Sequence, residues 1–160
     1  MQQRSLVPAS EAEVSVKWLR NTLASAFPNI TFETIRAERV GEGFGLASRI
    51  VRYRWDSVGP PRSVVVKLWD TDGPGGEREV SFYNSFGKAV GARIPACYHA
   101  AVDSDRKRGV LILEDLRNVV QGDCLRLLAL DHAKAVARSL AGVHATWGQN
   151  DENSQSRMAP

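Results

Sequence analysis

The sequence has little cysteine and no long hydrophobic run. Its 160 residues contain 2 cysteines, Cys97 and Cys124, which lie far apart and form no CxxC pair. Disulfide-rich secreted scaffolds and structural zinc sites both need more than this, so neither class is expected. No apolar segment approaches the roughly 20 residues that span a membrane, and the N-terminus MQQRSLVPAS lacks the apolar region of a signal peptide. We therefore expect a cytoplasmic protein without a membrane partner.

An excess of charge of one sign is also absent. Lys and Arg number 21 against 18 Asp and Glu, a formal net charge of +3 at pH 7. The basic residues form no stripe with interleaved aromatic residues of the kind that nucleic-acid binders show. The composition therefore argues against a nucleic-acid partner and favours a smaller anionic ligand, such as the phosphates of a nucleotide.

Hydrophobic periodicity predicts an α+β fold that begins and ends with a helix. Ser10 and Glu13 have the spacing of a capping box, and apolar residues follow at helical intervals until Pro28, so the first helix is expected over about residues 11–26. The clearest apolar stripe predicts a long last helix over 125–147, with Asp123 as its N-cap. The remaining predicted elements are strands over 31–40, 47–55, 63–69, 93–102 and 109–113 and a helix over 77–90.

One lysine stands out because it interrupts an apolar strand. Lys67 lies in the segment VVVKLW, and burial of an ammonium group without a partner costs several kcal/mol. Something must therefore compensate its charge. Glu79 is the candidate, because the predicted helix follows the strand through a glycine-rich loop and can bring this side chain back over the sheet. Glu77, on a different face of that helix, is the alternative.

A glycine-rich segment precedes this strand. Gly41, Gly43 and Gly45 lie between two predicted strands, where main-chain N–H groups can approach a phosphate closely, although a flexible hairpin tip is the simpler alternative. The segment is neither a Walker loop nor a dinucleotide fingerprint. A glycine loop between strands, then a lysine on a strand, then a glutamate on a helix is the nucleotide-binding arrangement of the protein-kinase fold.

Further segments strengthen this likeness. The segments EVSFY, IPACY, LILEDL, GD and LAGVHATW, in this order, resemble successive landmarks of the kinase-like small-molecule phosphotransferases, a superfamily that includes aminoglycoside phosphotransferases, choline kinase and ecdysteroid-kinase-like proteins. The resemblance covers about residues 10–147. It implies a protein-kinase-like N-lobe with an αC-type helix. The implied divisions are an N-terminal helical segment over 1–28, the N-lobe and hinge over 29–116, the first helices of an incomplete C-lobe over 117–147, and a disordered tail over 148–160.

The resemblance also implies an ATP site. The glycine loop would cover the nucleotide, Lys67 would contact its phosphates and Glu79 would orient Lys67. A hinge after the last strand would offer adenine the C=O of Glu114 and the N–H of Leu116, whereas the simpler interpretation is that Glu114 and Asp115 begin a solvated turn. The expected ATP-binding residues are Gly41, Gly43, Phe44, Gly45, Lys67, Glu79, Glu114 and Leu116.

The sequence lacks the residues that perform phosphate transfer in this superfamily. The family shows a His-Gly-Asp segment after the long helix, with the catalytic Asp and the Mg²⁺ ligands on the loops that follow, and this sequence reaches Pro160 without one. We therefore expect no catalytic residue and no metal site in these residues, and no transfer of phosphate to the small-molecule acceptor.

Two other functions remain open. The first is a non-catalytic binding or regulatory module that acts through protein–protein contacts, with self-association through an exposed C-terminal helix. The second is a structural α+β domain without a nucleotide site.

Overall fold

The computed structural model describes residues 7–40, 49–57, 59–70, 74–87, 89–117, 119 and 127–148. The chain divides into two compact units, one of Met1–Ser85 with Pro95–Leu116 and the other of Phe86–Ile94 with Arg117–Pro160. The first unit carries the sheet and two α-helices, and the second carries the last helix.

The described residues form an α+β arrangement with three α-helices and one five-stranded antiparallel sheet. The coarse fold class and the number of strands expected from the sequence are thus confirmed. In chain order the elements are a 3-10 turn (Glu11–Glu13), α1 (Val16–Leu23), β1 (Arg36–Arg39), β2 (Arg49–Arg54), β3 (Ser63–Trp69), α2 (Pro74–Ser85), β4 (Cys97–Asp103), β5 (Arg108–Glu114) and α3 (Leu130–Gly148).

Strand β3 occupies the centre of the sheet. The strand order is β1-β2-β3-β5-β4, so β1 to β3 form a meander and β4 and β5 form a hairpin that joins β3 through β5. Lys67 on β3 stands opposite Ile50 on β2 and opposite Leu111 on β5. The chain passes from β3 to β4 through α2, which makes contacts with both β4 and β5.

One face of the sheet buries the main hydrophobic core. Alternate side chains along a strand point to the same face, and Val51 and Tyr53 of β2 lie in this core while Arg52 and Arg54 do not, as the alternation predicts. Helix α1 closes this face. The most deeply buried core residues include Leu19, Leu23, Val51, Tyr53, Val64, Val66, Leu68, Val110 and Ile112.

The opposite face carries a smaller core beneath α2. Trp69, Val80 and Leu111 are its buried members. The indole of Trp69 lies between two glycines, since a Cβ added at Gly76 of α2 or at Gly109 of β5 would come within 2.1 Å of an indole atom. Only glycine at these positions allows such a close approach. The indole therefore sets how near the first turn of α2 lies to the sheet.

The start of α1 differs from the prediction. Residues Glu11–Glu13 form a separate 3-10 turn in which Ser10 makes no side-chain cap, and α1 begins at Val16, capped by Ser15, whose Oγ accepts a hydrogen bond from the N–H of Trp18 at 3.2 Å. The hydroxyl of Tyr53 donates to the C=O of Glu11 at 3.3 Å. This tertiary contact holds the turn against β2, so the helix expected from residue 11 was wrong at its start.

The other boundaries shift for local reasons. Helix α2 runs over Pro74–Ser85. It begins before the expected residue 77, because proline fits the first turn of a helix, and it ends before residue 90, two residues ahead of Gly87, a glycine that indicates an early stop. Strand β4 begins at Cys97 rather than residue 93, after Pro95, which has no N–H for a ladder bond. Strand β1 is confined to Arg36–Arg39, although 31–40 was expected.

The last helix also begins later than predicted. Residues 127–129 are not helical and α3 starts at Leu130, so the predicted start at residue 125 was wrong. The predicted N-cap, Asp123, lies outside the described residues, as does the expected disordered tail beyond Gly148. None of the helices formed by the described residues is long and apolar enough to cross a membrane.

The placement of Trp69 yields a stability prediction. Gly109→Ala pushes a methyl group into the indole and is expected to lower the free energy of unfolding by about 1–3 kcal/mol, measured by urea denaturation. Trp69→Phe removes the ring atoms that the methyl group would meet. The double variant is therefore expected to be more stable than the sum of the two single effects predicts, and additive effects would contradict the contact.

Candidate functional site

The central feature is an ion pair on the α2 side of the sheet. The ammonium Nζ of Lys67 donates a hydrogen bond to Oε2 of Glu79, which confirms the partner expected from the sequence. Glu77, the alternative, is exposed in the first turn of α2. The side chains of Lys67 and Glu79 remain 23% and 30% exposed, so the pair is half-buried and open to solvent or a ligand on one side.

Three local features position this pair. Strand alternation places Lys67 on the same face as Trp69. The contact of Trp69 with Gly76 brings the first turn of α2 against the sheet, and Glu79 follows about one helical turn later. Val80, buried beside it, keeps this side of α2 facing the strands. The packing of α2 on the sheet thus places the carboxylate of Glu79 next to Lys67.

Two neutral groups, Tyr83 and Cys97, lie close to Glu79. Burial raises the pKa of the Tyr83 hydroxyl, and the negative charges of Glu79 and, at high pH, of the ionised Cys97 thiol raise it further. Burial likewise raises the pKa of the Cys97 thiol, a backbone hydrogen bond at His99 opposes this, and the carboxylate of Glu79 adds to the increase. Both groups therefore stay protonated near pH 7, and neither competes with Glu79 as an anion next to Lys67.

Half-buried apolar side chains share the Lys67 face of the sheet. Ile50 stands opposite Lys67, and Val65, two residues before Lys67, stands opposite Leu113 of β5. We call Ile50, Val65 and Leu113 the apolar shelf; all three are half-buried on the Lys67 face. The sequence analysis missed these residues. The signal was present, because residues at even spacing from Lys67, and their strand partners, share its face.

The segment after β5 contains the predicted hinge. Strand β5 ends at Glu114, whose N–H donates to the C=O of Ala96 at 2.8 Å, while the carboxylate of Glu114 accepts from the N–H of Ala96 at 3.1 Å. Leu116 lies just beyond the strand and is half-buried. In the described part of the chain, the N–H of Leu116 has no hydrogen-bond partner.

Asp115 corrects the expectation that this segment simply enters solvent. Its side chain is only 2% exposed, and its two carboxylate oxygens accept hydrogen bonds from Nε of Arg52 at 2.9 and 3.0 Å. The sequence analysis missed this pair, because Arg52 lies 63 residues earlier on β2. The arginine in the alternating pattern of β2 was a visible feature of the sequence. The strand order that makes its contact with Asp115 possible could not be predicted from the sequence.

The remaining predicted site residues lie outside the described residues. These are Gly41, Gly43, Phe44 and Gly45. The strands that flank them, β1 and β2, are adjacent and antiparallel. The described residues contain no group of three or more His, Cys, Asp or Glu side chains that could hold a metal ion.

Comparison with known proteins adds no assignment: no protein-family model and no curated protein matches this chain. What the site can do must therefore be inferred from its geometry. Its described part combines a partly exposed lysine side chain, the apolar shelf and main-chain groups at the end of a strand. Together these suit a ligand with an anionic part and a flat apolar part.

The exposure of the ion pair can be tested by removing its negative charge. Glu79→Gln is expected to lower the free energy of unfolding by about 1 kcal/mol, since water can solvate Lys67 on its open side, whereas breaking a fully buried pair costs about 3–5 kcal/mol. Chemical denaturation measures the difference. Glu77→Gln, on the exposed side of the same helix, is the matched control and should change stability by less than about 0.5 kcal/mol. A loss above about 3 kcal/mol for Glu79→Gln would mark a closed structural pair instead.

Proposed function

We propose that the unit of Met1–Ser85 and Pro95–Leu116 is the ATP-binding lobe of a kinase-like small-molecule phosphotransferase, whose acceptor is the hydroxyl group of a small molecule. The observation that carries this proposal is the Lys67–Glu79 pair. In protein kinases a lysine on the third strand contacts the nucleotide phosphates and pairs with a glutamate on the following helix. Here Lys67 lies on β3 and Glu79 on α2, the next helix.

The electrostatics of the pair suit phosphate binding. Lys67 is held by Glu79 on one side and is partly open on the other, so its ammonium group is oriented before a ligand arrives. An anionic phosphate oxygen would form a charge-assisted hydrogen bond there, which is stronger than a neutral one. Orientation by Glu79 lowers the entropy cost of that contact.

The apolar shelf and the segment after β5 suit the base. The flat ring of adenine would bury apolar area against Ile50 and Val65. The C=O of Glu114 and the N–H of Leu116 lie at the end of the strand beside this surface and would bind the edge of the ring. The proposal thus accounts for a cation, an apolar surface and two polar main-chain groups with one ligand.

The proposal covers nucleotide binding only. It assigns no step of phosphate transfer to these residues. The 160 residues contain no His-Gly-Asp segment, and electrostatic stabilisation by positioned groups supplies most of the rate in phosphoryl transfer. Lys67 and Glu79 supply one cation and its orienting partner. Neither can accept the proton of an acceptor hydroxyl, because Lys67 is a cation and Glu79 is bonded to it.

Binding of ATP is the direct test. We expect ATP to raise the melting temperature of the purified chain and to bind in isothermal titration calorimetry, and Lys67→Ala to weaken binding about tenfold to a hundredfold, the loss of a charge-assisted hydrogen bond. Lys17→Ala, an exposed lysine on α1, is the matched control and should bind as the unchanged chain does. Equal binding by Lys67→Ala, or no binding by the unchanged chain, would contradict the proposal.

We propose self-association as a second candidate function, because α3 exposes large apolar side chains. Leu130, Val136 and Leu140 are 69%, 60% and 52% exposed. Val136 and Leu140 lie four residues apart and share one side of the helix. Exposed apolar patches of this kind mark protein interaction sites, and a second copy of the chain presents the same patch.

Sedimentation distinguishes this candidate from a purely nucleotide-binding role. We expect the chain to form a dimer with rising concentration, and the double variant Val136→Lys/Leu140→Lys to stay monomeric because the apolar contact is lost. Arg138→Ala alters a different side of α3 and should leave the dimer intact. A monomer at all concentrations would rule out self-association through this helix.

A further inference from the structure

The segment between Glu114 and Leu116 is anchored by a buried ion pair. Asp115 lies between the two residues whose main-chain groups are proposed to bind the base, and its carboxylate is nearly inaccessible to solvent. Charged side chains are almost never fully buried unless they are paired. Arg52 supplies the partner, because its Nε–H donates a bifurcated hydrogen bond to the two carboxylate oxygens.

The Arg52–Asp115 pair lies next to the last paired residue of β5, Glu114. Arg52 of β2 stands opposite Val65 of β3, and Val65 stands opposite Leu113 of β5. Strands β2 and β5 are not neighbours, so the Arg52 side chain reaches across β3 to the segment after β5. The paired residues of β5 end at Glu114, and the side-chain pair with Arg52 ties the next residue, Asp115, to β2.

A second anchor holds the same segment from the other direction. The N–H and the carboxylate of Glu114 are both bonded to the main chain of Ala96, next to β4. The segment is therefore tied toward β4 at Glu114 and toward β2 at Asp115. Two ties in opposite directions restrict the rotation and the displacement of the C=O and N–H groups between them.

We propose that Arg52, through Asp115, is a positioning residue that makes the site selective for adenine over guanine, an inference that rests on the proposed nucleotide-binding function. Adenine presents an amino donor beside a ring-nitrogen acceptor, whereas guanine presents a carbonyl acceptor beside an N–H donor. A C=O at Glu114 and an N–H at Leu116, held at a fixed spacing, match the first pattern. The second pattern places acceptor against acceptor and donor against donor, leaving buried groups unpaired.

The inference predicts that recognition of the base and recognition of the phosphates depend on different residues. Arg52 and Asp115 act on the segment that contacts the base, whereas Lys67 acts on the phosphates. A purely structural ion pair would alter all ligands alike when it is removed. A positioning pair would alter the ratio of ATP to GTP affinity and leave the affinity for a phosphate chain without a base nearly unchanged.

The experiment compares ATP, GTP and inorganic tripolyphosphate in calorimetric titrations of the full chain. The unchanged chain is expected to prefer ATP over GTP by about tenfold or more, the equivalent of one well-made hydrogen-bond pattern. Arg52→Gln and Asp115→Asn are each expected to remove most of this preference and to change tripolyphosphate affinity by less than about twofold. Because both act through one contact, the double variant should lose no more preference than either single variant.

Controls separate this inference from the proposed function. Arg54→Gln changes the next arginine on the same strand, whose partner is Glu38 and not Asp115. Glu38 also contacts Arg52 at 3.5 Å, but this variant leaves the bond between Arg52 and Asp115 in place and should keep the preference. Lys67→Ala should weaken tripolyphosphate binding. If a single variant fails to fold, the double variant Arg52→Met/Asp115→Leu takes its place in the comparison. This double variant leaves no unpaired buried charge. A folded variant that retains the ATP preference overturns the inference alone, and an unchanged chain that binds none of the three ligands overturns both proposals.

Discussion

The arrangement of the first unit depends on the need to compensate one positive charge on the inner face of a sheet. Lys67 lies on the central strand, between β2 and β5, and a bare ammonium group there would cost several kcal/mol. Glu79 meets this need only because α2 approaches closely, and the approach in turn requires glycine on both sides of the Trp69 indole. The ion pair, the helix position and the two small residues therefore form one interdependent set.

The features that could be predicted from the sequence are those that burial of apolar side chains and pairing of charges require locally. The alternation of β2 was visible because Val51 and Tyr53 have to face the core, and the partner of Lys67 could be named because a charge on an apolar strand requires one. Both inferences use contacts within a short stretch of chain or within one strand–helix unit. The extent of β3 and the coarse α+β class follow from the same local patterns.

Contacts between distant segments explain what could not be predicted. The tie from Arg52 to Asp115 depends on β3 lying between β2 and β5, an order that no local pattern encodes. The start of α1 was misplaced because the Tyr53 hydroxyl binds the C=O of Glu11, and burial raises the pKa of Tyr53 to about 12, so this hydroxyl remains a donor. In both places a partner far along the chain decided the local geometry.

Strand β1 has a consequence for how separate copies of the chain behave in solution. It stands at one end of the strand order, and three of its four residues, Arg36, Glu38 and Arg39, are charged and exposed. An edge strand is a template onto which a strand of another molecule can add, and charged side chains disfavour that addition. Glu38 is paired with Arg54 and Arg39 with Glu11, which keeps the charges in place along the edge. This edge therefore resists the strand-to-strand aggregation to which exposed sheets are prone.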